Sequence, residues 1–119
     1  MKVVIAGCRD FFDYQFVEQT LDKIFQEEPF TNQTIEIVSG NACGVDTLGE
    51  KYAQTYNLPV HRFPAQWDKF GKAAGPIRNK RMAEIADYVI VFWDGRSRGT
   101  KNMIETCQQL GVPCKIVYI

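Results

Sequence analysis

Two periods of hydrophobicity alternate from one end of this chain to the other, and that alternation constrains the fold more than any other feature. Val3-Val4-Ile5-Ala6 is a short continuous apolar run closed by Gly7, the pattern of a strand buried on both faces. Val17, Leu21, Ile24 and Phe25 then recur at helical spacing, which predicts an amphipathic helix over 13–28 capped by Asp13. Ile35 to Ser39 reads as a second strand. Val45, Leu48, Tyr52 and Tyr56 mark a second helix ending near Asn57, and residues 60–63 a short third strand. Pro76 suits the first turn of a third helix reaching about Ala86. Tyr88 to Trp93 is the most apolar strand, Gly99 to Leu110 a fourth helix stopped by Gly111, and Lys115 to Ile119 the last strand. Strands that alternate with helices in this way imply an α/β fold: a five-stranded, mostly parallel sheet with right-handed crossovers and helices on both faces. No linker or repeat interrupts the pattern, so residues 1–119 read as one domain.

Residues 64–75, "PAQWDKFGKAAG", match neither period and are expected to form a loop. A loop of that length in a small domain is commonly functional, and Lys69, Lys72 and two aromatics suit it to be a lid.

Composition excludes several classes. The chain is 45% apolar and 24% charged, so it can fill a core, and no apolar run approaches the ~18 residues of a membrane span. Met1-Lys2 leads directly into a strand without a signal-peptide pattern, and a cytoplasmic location is expected. Cys8, Cys43, Cys107 and Cys114 form no C-x-x-C pair and His61 is the sole histidine, so free thiols and no metal site are expected. The net charge is zero, but residues 1–61 carry four basic and nine acidic side chains while residues 62–101 carry nine basic and four acidic. A basic tract within a neutral domain suits a local anionic ligand better than a polyanion, which makes nucleic acid an unlikely partner.

In an open parallel sheet, ligands bind beyond the carboxyl ends of the strands. The segments that must open on that edge are 7–13, 39–46, 64–75 and 94–100, and three of them are glycine-bearing turns into helices. Such turns present N–H groups at a helix N-terminus, where the dipole favours an anion. Gly40 and Gly44 would let a phosphate approach the second turn, or serve only its tight geometry. In "DGRSRGT", Arg96 and Arg98 straddle Ser97 just before Gly99-Thr100, with Lys101 following. Cations there oppose the helix dipole unless an anion is bound or they point into water. Arg78 and Asn79 open the third helix and can grip an anion or a ribose hydroxyl. Asp46 shares a helix face with Glu50, and is either a ribose contact or a plain helix-start residue. Trp67 and Phe70 can stack on a base, as can Phe11 and Phe12, or they cover the core.

Taken in order, "VIAGCRDF", "VSGNACGVDTLGEKYA", "FPAQWDKFGKAAGPIRNKRMAEIAD" and "VIVFWDGRSRGTKNMI" resemble the YspA-like branch of the SLOG superfamily, related to LOG phosphoribohydrolases and to DprA. The resemblance implies a three-layer, Rossmann-like sandwich that binds a nucleotide or a nucleotide-derived small molecule as a sensor or processing domain. By motif it assigns ligand contacts to Gly7 and Arg9, to Ser39, Gly40, Gly44 and Asp46, and to Arg78 and Asn79. Ser97, Gly99 and Thr100 resemble the LOG phosphate turn, which Arg96 and Arg98 flank. Asn41 and Cys43 replace a glycine and an arginine of the branch's usual second turn. LOG enzymes also carry a glutamate three residues after the threonine; here that position is Met103.

Glu105, two residues further, lies about 200° around a helix from that position. Asp10, Asp46, Asp94 and Glu105 are therefore the remaining carboxylates if the chain cleaves a base–ribose bond. The expectation is a binding domain without a cofactor, with a nucleotide N-glycosidase as the alternative and a homodimer left open.

Overall fold

The continuous apolar runs become the middle of a sheet. In the computed structural model, which describes residues 1–119, the strands are β1 (Lys2–Gly7), β2 (Glu36–Ser39), β3 (Val60–Arg62), β4 (Tyr88–Trp93) and β5 (Cys114–Tyr118). Their order is β3-β2-β1-β4-β5 and every neighbouring pair is parallel, so the expected "mostly parallel" sheet is wholly so. β1 and β4 are buried along four consecutive residues because both faces are covered.

Alternate residues divide the core between those faces. Val3, Ile5, Ile37, Ile90 and Phe92 pack beneath α1 (Tyr14–Phe25) and α2 (Val45–Thr55) through Val17, Leu21, Val45 and Leu48. Val4, Ala6, Val38, Val89 and Val91 face the other way. They pack on α4 (Ala74–Ile85) and α5 (Arg98–Leu110) through Met82, Ala83, Met103 and Ile104. Each fully buried side chain of this size contributes roughly 1.5–3 kcal/mol, and the two clusters together make a three-layer sandwich.

Helix ends follow local chemistry. Asp13 caps α1 as expected, its carboxylate accepting from the Phe16 N–H at 3.1 Å, but the helix stops at Phe25, three residues early. Ser97 caps α5, which puts Arg98 inside the first turn rather than before it. The largest departure is at 64–75. This segment contains α3 (Trp67–Phe70) and a 3-10 turn (Gly71–Ala73), and α4 begins at Ala74 rather than Pro76. Helical turns of three or four residues are too short to show a period. Pro76, third in α4, is tolerated because its missing N–H would have had no partner there. No helix of the chain is long and apolar enough to cross a membrane.

Candidate functional site

Strand order reverses between β1 and β4, whose C-terminal ends lie side by side with Gly7 opposite Phe92. The chain leaving β1 turns to α1 on one face, and the chain leaving β4 turns to α5 on the other. Their divergence leaves a crevice of about 640 Å³ at the switch point.

One wall is the β4–α5 turn. The Asp94 carboxylate accepts from the Arg96 and Ser97 N–H groups, both at 2.8 Å, and these bonds hold its pKa below the ordinary carboxylate value. The Ser97 hydroxyl accepts from the Thr100 N–H. The N–H groups of Arg98 and Gly99 are left without an intramolecular acceptor, and both residues line the crevice with Arg96, Ser97 and Thr100. Asn102, which the sequence reading overlooked, stands one helical turn after Arg98. Its side-chain oxygen accepts from Asn79, which also donates to the Gly99 carbonyl oxygen and so ties α4 to the start of α5.

The back wall is Asp46 and Arg78. Asp46 is only 5% exposed, and its carboxylate accepts from the Ala42 N–H at 3.3 Å. Burial pushes its pKa up to about 6, against the lowering effects of that bond and of Arg78 and Arg9. Arg78 sits five residues into α4, not at its opening, because the helix starts early. Its Nη1 donates to the Gly40 carbonyl oxygen at 2.6 Å and its Nε to the Asn79 side-chain oxygen at 3.0 Å. Across the opening, the Arg9 guanidinium lies 5.6 Å from the centre of the Trp67 ring, a cation–π stack that gives the crevice an aromatic edge.

Several residues expected at the ligand lie elsewhere. Ser39, Gly40 and Gly44 do not line the crevice, although Gly7, Arg9 and Asp46 do. The Ser39 hydroxyl donates to Glu50 at 2.6 Å, and Glu50 also accepts from Arg62. A methyl group on Gly40 would meet Arg78 and Asp46, and one on Gly44 would overlap the Cys8 carbonyl oxygen. These glycines serve chain-to-chain contact. Phe70 turns away toward Lys69 and Arg81, and Phe11 packs on the core. Glu105 is exposed and outside the crevice, whereas Met103 is buried and lines it. Helical geometry thus puts no carboxylate at the position the LOG resemblance assigns to one.

Sequence spacing also hid a grouping of Cys8, Asp10 and Asp94. Their ligand atoms lie within 4.8 Å of one another, a spacing a cation can accept, on two turns that only the β1–β4 pairing brings together. The buried Cys8 thiol is held above its ordinary pKa by burial.

Comparison with known proteins follows this geometry. A family model described as the YspA, cpYpsA-related SLOG family matches residues 1–70, more than half of the chain. The chain belongs to that family. It is also similar to the Gene 61 protein of Mycobacterium phage D29, at 30% identity over 118 residues, covering 94% of this chain and 92% of that one. Among solved structures, DNA processing protein A (DprA) from Streptococcus pneumoniae superposes with a TM-score of 0.75 at 21% identity, over 97% of this chain. The SLOG chain spans about half of that protein, 49% of its length, and the likeness establishes the Rossmann-like fold alone.

Asp46 makes a testable contribution to stability. Its pKa is raised on folding from 3.8 to about 6, so the native state holds a proton that the unfolded chain releases between those values. The stabilisation is complete below about pH 4 and is lost as the pH rises through 6. Asp46→Asn does not titrate, so its stability relative to the parent should rise by roughly 3 kcal/mol between pH 4 and pH 7.5. Urea unfolding of both proteins across that range measures it; parallel stability curves would show that Asp46 is ionised throughout.

Proposed function

We propose that the protein binds a nucleotide or nucleotide-derived small molecule in this crevice, as a sensor or processing domain. The carrying observation is an excess of positive charge. Arg9, Lys72, Arg78, Arg96 and Arg98 line the crevice against the carboxylates of Asp10, Asp46 and Asp94, and none of the five forms a salt bridge. The two ion pairs of the molecule, His61–Glu36 and Arg62–Glu50, are elsewhere. Five cations converging beside two free N–H groups at a helix N-terminus suit a phosphate. In this reading Gly99, Thr100 and the Arg98 amide cradle the phosphate, with Arg96 and Arg98 around it. Arg78, Asn79 and Asp46 meet the sugar, and Trp67 stacks on the base. A cytoplasmic location and a reduced thiol set go with it.

A charged hydrogen bond of this kind is worth about 1.5–3 kcal/mol. Arg98→Ala should therefore weaken binding of a nucleoside monophosphate by about tenfold or more, read by calorimetry. Unchanged affinity for every nucleotide the parent binds would sink the reading.

The second reading, cleavage of the base–ribose bond, is favoured by one observation: Asp46 is a buried carboxylate beside a cavity with a pKa near 6, the range in which an acid–base group works. Chromatography of free base released from a nucleotide panel separates the two. Turnover abolished in Asp46→Asn establishes an enzyme, and binding without release establishes a sensor or carrier. A single nucleic-acid strand, a class suggested by the name of the DprA neighbour, fits a neutral chain less well. Strand binding would weaken steeply with salt, and a small ligand in a crevice only mildly.

A further inference from the structure

At the opposite edge of the sheet from the crevice, two cysteines far from any proposed ligand are folded against each other. α5 ends in Gly111, which takes a left-handed conformation at φ 72°, its N–H donating to the Cys107 carbonyl oxygen. The Val112 N–H donates to the same oxygen at 2.9 Å. The chain therefore reverses over the last turn of the helix, and after Pro113 the first residue of β5 is Cys114, in register with Val89. Cys107 is 1% exposed and Cys114 half-buried, and both pack in the cluster of Met103, Ile104 and Val89. The reversal folds Cys114 back beside the last turn of α5, so both side chains sit in one apolar cluster.

We propose that Cys107 and Cys114 are a peroxide-oxidisable dithiol that closes to an intramolecular disulfide. The two sulfurs differ in the way such a pair requires. Cys107 is enclosed in the core while Cys114 is half-buried and more open to solvent. The neighbouring Cys114 and then burial raise the pKa of Cys107, and the neighbouring Cys107 lowers that of Cys114. The Cys114 thiolate, nearer to solvent, is the nucleophile and the oxidant is a hydroperoxide. The thiolate attacks one peroxide oxygen, the O–O bond breaks, and Cys114 becomes a sulfenic acid as hydroxide leaves. That hydroxide takes the Cys107 proton. The Cys107 sulfur then attacks the Cys114 sulfur, forming the S–S bond and expelling the sulfenic oxygen as water once it is protonated. In sum, two thiols and one hydrogen peroxide give one disulfide and two waters.

The remaining thiols lie apart from this pair. Cys8 is buried and Cys43 is exposed on the β2–α2 turn, both at the ligand edge of the sheet. The proposal stands apart from the nucleotide reading, and neither depends on the other.

The test treats the full-length native protein with one equivalent of hydrogen peroxide, blocks free thiols, and maps the peptides by mass spectrometry. The expected result is a loss of two hydrogens with Cys107 joined to Cys114, reversed by dithiothreitol, with Cys8 and Cys43 still blocked as thiols. Cys107→Ser should stop at a sulfenic acid on Cys114 that dimedone captures, and Cys114→Ser should leave Cys107 reduced. Blocked thiols at both positions, stable over-oxidation of Cys114 in the parent, or a disulfide to Cys43 would each overturn it.

Discussion

Gly44→Ala is expected to destabilise the protein by roughly 4 kcal/mol, among the largest effects a single methyl group can have in this fold. Gly44 adopts φ 75° and ψ −130°, a conformation essentially closed to other residues. The added carbon would also overlap the Cys8 carbonyl oxygen and the Arg9 carbonyl carbon, both backbone atoms that no rotamer change can move. That contact exists because the Val45 N–H, at the start of α2, donates to the Cys8 carbonyl oxygen at 3.1 Å, locking the turn after β1 to the turn after β2. The strain and the clash act on the same junction, so the melting temperature should fall by about 10 °C or more. Gly99→Ala is the control: its φ is not positive and a methyl group there meets nothing within 4 Å. Scanning calorimetry that shows equal melting for the two variants would mean the junction is looser than its geometry requires.

The same glycine shows what the sequence could and could not reveal. Strand runs such as Val3–Ala6 and Tyr88–Trp93, and helical stripes such as Val17, Leu21 and Ile24, are readable because burial on a fixed period is a local property. Their alternation was enough for a parallel sheet, and the switch-point rule was enough to bring the 7–13 and 94–100 turns to one edge. What a glycine is for is not local. Gly40 and Gly44 looked available to a phosphate, but the atoms that fill the space beside them come from Arg78 and from Cys8 and Arg9, distant in sequence. The Cys8, Asp10 and Asp94 grouping was hidden for the same reason, since only the pairing of β1 with β4 creates it. α3 was missed because one turn carries no period, although Trp67 within it reaches the crevice.

Arg78→Ala is expected to cost the most in binding, about a hundredfold for a nucleoside monophosphate, or ~3 kcal/mol. Arg78 is the innermost cation of the crevice and is held in place at two points, by the Gly40 carbonyl oxygen and the Asn79 side chain. Burial makes its charge costly and lowers its pKa, and Asp46 is the counter-charge that offsets this. Removing the guanidinium therefore does two things at once. It deletes a pre-organised phosphate or sugar contact, and it leaves a buried carboxylate without its cation, pushing Asp46 further toward its neutral form. The second effect alone would destabilise the fold, so lost binding in the single variant is ambiguous. The double variant Arg78→Ala/Asp46→Asn resolves this. With the orphaned charge gone, stability should return most of the way to that of the parent, while binding should stay weak because the grip is still missing. Arg78→Lys should fall between, since a lysine keeps the charge but cannot hold two acceptors in a fixed plane. If the double variant binds nucleotides as tightly as the parent, Arg78 is a structural tie between α4 and the β2–α2 turn, and the anion-binding role passes to Arg9, Arg96 and Arg98.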